Sequence, residues 1–287
     1  MHAWYNGKMP APIIARDTDH LKALLHACID EHGDACDLNH IDVSQITNMS
    51  DLFADSPFNG DISQWNTSNV LDMRHMFDES DFNGNISNWN VSKVQSTSGM
   101  FSNSSFSGDL SRWDVTSVQD MTGMFAYNLS TTAQPEGWNI SQWDVSNVWN
   151  MSRMFQCASV HDDISGWCVG QAKSVRSMFE GAYYGCDVSN WQLHPDTIMG
   201  NMFAQSACLA NQTPCAWNIA FFLEESVLPT HPAWTDVFST VAPLAQSLGL
   251  TPSEHAKLIL GEYERRHACT VESWSIALPD GTVEVAP

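Results

Sequence analysis

With 287 residues and 43% hydrophobic content, the chain is long enough for one large domain or two ordinary ones. It is also apolar enough for a packed core, which excludes a disordered polypeptide. Its 33 acidic residues against 12 basic ones leave a formal charge of -21. That charge repels phosphate backbones and anionic lipid, so nucleic acid and membrane are poor partners, whereas a basic protein surface is attracted in a salt-dependent way.

Residues 1–22 contain no apolar run of signal-peptide length, and nowhere do 18 apolar residues follow one another. The expectation is a cytoplasmic chain, with secretion or cell-surface display as the alternative if a leader precedes this sequence. From Asp17 and Thr18 onward, Leu21, Leu24, Leu25, Cys28 and Ile29 recur at helical spacing and end near Gly33. This pattern predicts an amphipathic helix with an N-cap, serving as an N-terminal cap over residues 1–37.

A repeat then takes over. Leu52-Phe53, Met76-Phe77, Met100-Phe101, Met124-Phe125, Met154-Phe155, Met178-Phe179 and Met202-Phe203 mark seven units of about 24 residues, with a six-residue insertion between Phe125 and Phe155. Trp65, Trp89, Trp113, Trp143, Trp167 and Trp191 keep the same register, and Ile41 fills their place in the first unit. Within a unit, Val70, Met73, Met76 and Phe77 fall on one face of an expected short helix, with Ser68, Ser92 and Ser146 as candidate caps in three of the units. The other half, residues 59–65, reads as an Asn-Gly turn followed by a short extended segment. One such unit cannot bury its own apolar face, so stability must come from stacking. The expectation is an α/β solenoid of seven repeats over residues 38–208, in a single stack whose coils form a parallel sheet.

The period ends at Cys208. In residues 209–287, Thr251, Pro252 and Glu254 form a capping box that opens a helix to about His267. Residues 270–285 read as two strands about a turn at Pro279, Asp280 and Gly281. This region is either a cap or a small α+β module. Cys157, Cys168, Cys186 and Cys208 stand where sister repeats carry other residues, which suggests small hydrophobes in a core and reduced thiols. Cys28 with Cys36, and Cys208 with Cys215, are the competing disulfide pairings.

The strings CDLNHIDVSQITNMSDLF at residues 36–53, FNGDISQW at 58–65 and FNGNISNW at 82–89, with the recurring Met-Phe, resemble the BspA-like leucine-rich repeat family of bacterial proteins over about residues 17–208. The resemblance implies a solenoid of leucine-rich-repeat kind, a bacterial source and a binding role, often as a surface adhesin. It names no partner, and it does not extend to the tail.

None of HExxH, GxSxG, a Walker-type loop, GxGxxG or CxxC is present, and no cofactor or metal is called for. His161, Asp162 and Asp163 fall at a turn position and read as a solvated turn. Asp61, Asn85, Asp109 and Asn139 align but lack the second acidic column a calcium ladder needs. The sequons at Asn66, Asn85 and Asn90 recur with the repeat and read as turn chemistry. The informative side chains are aromatics out of phase with the core: Tyr127, Trp138, Trp149 and Tyr183. Three of these belong to the irregular repeat, and exposed aromatics concentrate binding energy, so they form the expected docking surface. The functional expectation is a non-enzymatic bacterial binding protein that sequesters a basic protein such as a toxin, in the manner of an immunity or inhibitor protein. A surface adhesin is the second reading. Enzymatic activity in the tail, resting on His231, His255, Glu262 and His267, is the third.

Overall fold

The computed structural model describes residues 12–128, 138–182, 188, 191–194, 196–202 and 206, together with the backbone of two strands near the C-terminus. The chain enters through strand β1, Ile13–Ile14, which pairs in parallel with β2, Ile41–Asp42, on the first coil. Between them lies helix α1, Thr18–His32. Asp17 caps it by accepting the His20 amide at 2.7 Å, and Gly33 ends it at φ 84° with its amide on the Ile29 carbonyl. Leu21 and Leu25 are buried against the first coil. The predicted helix is therefore present, and a strand that sequence patterning did not reveal joins it.

Beyond α1 the repeats lie coil upon coil. Single-residue parallel bridges join Asn48 to Asp72, Asp72 to Ser96, Ser96 to Asp120, Asp120 to Asn150, Asn150 to Ser174 and Ser174 to Ile198. The extended sheet becomes a ladder one residue wide. Phe53, Phe77, Phe101, Phe125, Phe155 and Phe179 stack with centroids 5.6–5.8 Å apart. All six are buried.

Beside them runs the tryptophan column, and its members share a bond that explains the choice of indole over phenyl. Trp65, Trp89, Trp113, Trp143, Trp167 and Trp191 each donate Nε1–H to a carbonyl of the preceding coil, at 3.0–3.1 Å. A buried indole N–H needs such a partner, and here the partner is supplied one coil back.

The expected short helix over residues 70–77 does not form. The amides of Met73, His75, Phe77 and Glu79 donate instead to the carbonyls of Ser96, Ser98, Met100 and Ser102 on the next coil, at 2.9–3.0 Å. The amides between them close reverse turns, Met76 onto Met73 and Asp78 onto His75. His75 and Glu79 take positive φ, 51° and 53°, and the same two slots do so in the neighbouring coils. Apolar spacing of three and four residues fits this turn strip as well as a helix, and a helix of two turns is marginal alone. Bonding to the next coil satisfies the same donors while tying the stack together.

Nor do the serines cap anything. Ser68, Ser92 and Ser146 donate their amides to the side-chain oxygens of Asn66, Asn90 and Asp144 at 3.0–3.2 Å. Such Asx turns recur at three corners of the coil. Asp61, Asn85 and Asp109 hold one corner, and Asn48, Asp72, Asp120 and Asn150 another. Asp61, Asn85 and Asp109 of the possible calcium ladder, and the sequon asparagines, thus direct an oxygen to a backbone amide two residues on, whereas Asn139 donates Nδ2–H to Asp109 Oδ1 at 3.1 Å. Gly60 is required by close approach: a Cβ there would collide with the Cys36 carbonyl and the Phe58 ring.

Two cysteine expectations are corrected. Cys157 is only half-buried and Cys168 is exposed, because they occupy the columns of Asp55, Glu79 and Tyr127 and of Asn66, Asn90 and Asp144, on the outside of the coil. Cys28 and Cys36 are free and half-buried, and Cys186, Cys208 and Cys215 lie outside the described residues. In the tail, β3, Trp274–Ala277, pairs antiparallel with β4, Val283–Ala286, at the positions read as two strands. The turn between them and the expected helix over 251–267 lie outside the described residues.

The indole ladder leads to a graded prediction. Trp89→Phe keeps the ring stack but leaves the Ile62 carbonyl unpaired, and should cost about 1–3 kcal/mol. Phe77→Ala empties a fully buried site and should cost about 3–5 kcal/mol. Urea unfolding of the two variants would expose an error if they were equal.

Candidate binding surface

Each coil presents one outer strip, the segment carrying the ladder and the turn run. Its inner side chains, such as Met121, Met124 and Phe125, are fully buried. Its outer ones differ from coil to coil. One column runs Thr47, Leu71, Gln95, Gln119, Trp149, Lys173 and Ile198, successive members from Leu71 onward donating an amide to the carbonyl of the one before at 2.8–2.9 Å. Leu71, Trp149 and Ile198 are 40%, 41% and 58% exposed in it. At the far end of the strip a second column runs Asp55, Glu79, Asn103, Tyr127 and Cys157, all at positive φ. Tyr127 is 45% exposed.

The expected aromatic cluster is therefore divided. Tyr127 bonds through its amide to Gln156, seven residues beyond Trp149 on the adjacent strip, so the two exposed rings stand at opposite ends of the strip. Tyr183 lies outside the described residues. Trp138 is corrected outright: it is 2% exposed. Its ring stacks on Phe125 at 4.1 Å and its Nε1–H donates to the Phe106 carbonyl at 3.0 Å. That is the packing Phe58, Phe82 and Phe106 give to Phe53, Phe77 and Phe101. An indole two places out of phase reaches the slot that a phenyl fills elsewhere, and its area is worth more inside than out.

Where regular coils direct the amide at the ring position to a serine hydroxyl, as Phe58, Phe82 and Phe106 do, Asp162 supplies the acceptors here. Its Oδ2 takes the Trp138 amide and its Oδ1 the Ile140 amide, both at 2.9 Å. Asp162 is therefore no solvated turn residue. Burial pushes its carboxyl above the ordinary range, and the amides of Trp138 and Ile140 oppose that shift. Asp163 beside it caps the Ser165 amide at 3.0 Å, like the other corners. On the near side of the insertion, buried Asn128 donates Nδ2–H to Ser104 Oγ and the Phe106 carbonyl, both at 3.2 Å.

Charge is distributed unevenly over the outer strips. At the N-terminal coils Asp51, Asp55 and Glu79 are exposed at the turn end. Repulsion from Asp55 one coil away, and then a hydrogen bond with its carboxyl, raise the Glu79 carboxyl above its ordinary range, with Asp78 adding a smaller effect. Asp78 shares Oδ2 with His75 Nδ1 at 2.9 Å, while its Oδ1 is buried without a hydrogen-bond partner among the described residues. Toward the C-terminal coils the strip carries Arg153, Lys173 and Arg176 instead. Leu71, Ile198 and these three cations were not singled out as site residues in the sequence. The available signal was their departure from the residues that share their columns.

The model of a family described as "Mycoplasma protein of unknown function, DUF285" matches residues 25–138 and again 137–217. The chain belongs to that family. The two DUF285 matches meet at 137–138, where Trp138 re-enters the core. No curated protein and no solved structure matches the chain. Among the described residues no helix of this DUF285 chain is long and apolar enough to cross a membrane, and no group of three or more metal-ligating side chains converges.

The two out-of-phase tryptophans should separate cleanly under mutation. Trp138→Ala is expected to cost about 3–5 kcal/mol and Trp149→Ala no more than about 0.5 kcal/mol. Asp162→Ala leaves two buried amides without acceptors and should cost about 1–3 kcal/mol each. Chemical denaturation measures all three, and a neutral Asp162→Ala would refute the repair assigned to that carboxylate.

Proposed function

We propose that this chain is a non-catalytic binding protein, a bacterial solenoid of leucine-rich-repeat kind that sequesters a basic protein partner through the acidic edge of its N-terminal coils. The observation that carries the reading is the exposed acidic pair Asp55 and Glu79, which occupy one outward column on adjacent coils. Like charges held on adjacent coils raise the Glu79 carboxyl, and a lysine or arginine set between them would relieve that cost. The formal charge of -21 would steer such a partner from a distance. A constant interior beneath exterior columns that change at every coil is also what a recognition surface requires. An immunity or inhibitor role toward a basic toxin in the cytoplasm fits this chemistry.

A second reading, a surface adhesin of the BspA-like type, is favoured by the strings at residues 36–53 and 58–65. Fractionation of the producing cell distinguishes the two readings, since an immunity protein stays with the cytosol and an adhesin with the envelope.

Affinity capture from lysate at about 50 mM and about 500 mM salt, compared with Asp55→Asn, Glu79→Gln and a control Asp163→Asn, tests the basic-partner reading. Capture should fade with salt and with the first two substitutions only. In the free protein, Asp55→Asn should move Glu79 titration to lower pH by NMR. Because Glu79 is raised in the folded state, the stability linked to it is present in acid and is lost as pH climbs through its raised value. Asp55→Asn should remove that loss. A salt-indifferent partner would sink the proposal.

A further inference from the structure

The outer strips of two adjacent coils carry four side chains that neither the core nor the ladders use. Trp149 leaves 41% of its surface exposed. Lys173 is its neighbour on the next coil, with its amide on the Trp149 carbonyl at 2.8 Å. Arg153 stands four residues past Trp149 on the same strip, and its amide bonds to the Arg176 carbonyl at 2.8 Å. Lys173 and Arg176 thus flank Trp149 and Arg153 in register. Met151 and Met154 of that strip are fully buried, which turns Trp149 and Arg153 outward.

The three cations are uncommitted, unlike those of the preceding coils. Arg74 grips Asp72 at 2.6 Å, Lys93 donates to Asn69 and Arg112 to Asn88, each at 2.8 Å. Among the described residues, the side chains of Arg153, Lys173 and Arg176 make no ion pair or hydrogen bond. Three of only 12 basic residues, in a chain with 33 acidic ones, therefore share two adjacent outer strips with one exposed indole. Guanidinium groups match carboxylates in bidentate geometry. Tryptophan and arginine are the residues that most often dominate interface energy.

We infer that Trp149, Arg153, Lys173 and Arg176 form a binding site for an acidic peptide segment of a partner protein. Carboxylates of the segment meet Arg153, Arg176 and Lys173, and an apolar side chain of the segment lies on the Trp149 indole. A peptide is favoured over a nucleic acid because its negative charge can be confined to the patch. A long polyanion would overrun it onto the acidic remainder of the surface. The site is separate from the acidic edge and stands whether or not the basic-partner reading holds.

The test uses the full chain and a fluorescein-labelled glutamate-rich peptide with one central phenylalanine, followed by anisotropy at about 50 mM salt. Binding is expected. It should weaken roughly tenfold for Trp149→Ala and for the double variant Arg153→Gln, Arg176→Gln, and remain unchanged for Lys93→Gln. Near-UV circular dichroism confirms that each variant is folded. The double variant alters only exposed side chains, so it decides the matter even if Trp149→Ala misfolds. No binding, equal binding by the double variant, or stronger competition by a single-stranded oligonucleotide or a sulfated glycan of matched charge overturns the inference.

Discussion

Alternate amides on the turn run of each coil find their acceptors on the coil that follows. Met49, Asp51, Phe53 and Asp55 donate to Asp72, Arg74, Met76 and Asp78, and the pattern recurs at each later step described. A single coil has no internal partner for these donors, and an unpaired buried amide is costly. The stack is thus held by a requirement of the backbone before any side chain is considered. Positive φ at slots such as 51, 55, 75 and 79 is what directs the alternate amides along the stack. Where side chains other than glycine adopt it, that conformation costs free energy, which the bonds to the next coil offset.

Side chains then make the stacking selective for one register. Phenyl rings stack on phenyl rings and indoles on indoles, and each indole of the Trp65 column also donates to the coil behind it. The irregular coil shows how stringent that register is. After the insertion, Trp138 fills the missing ring position and Asp162 accepts the amides of Trp138 and Ile140. The two family matches divide at the same place.

Because the interior repeats, individuality is left to the outward columns, and these are not uniform in charge. Acidic residues crowd the turn end of the first coils, while Arg153, Lys173 and Arg176 gather about Trp149 further on.

The 24-residue recurrence in the sequence determined which columns are buried, because burial of Phe, Trp and Met is a property of composition and period that each repeat restates. It also determined the cap helix, through Asp17 and Gly33, and the net charge. The path of the backbone between the apolar positions was legible only in the tertiary structure. Spacing of three and four residues is shared by a helix and a turn strip, and the choice rests on acceptors one coil away. The same reason governs Trp138 and Asp162. Their roles depend on partners supplied by neighbouring coils, and no local pattern encodes a contact 22 to 32 residues away along the chain.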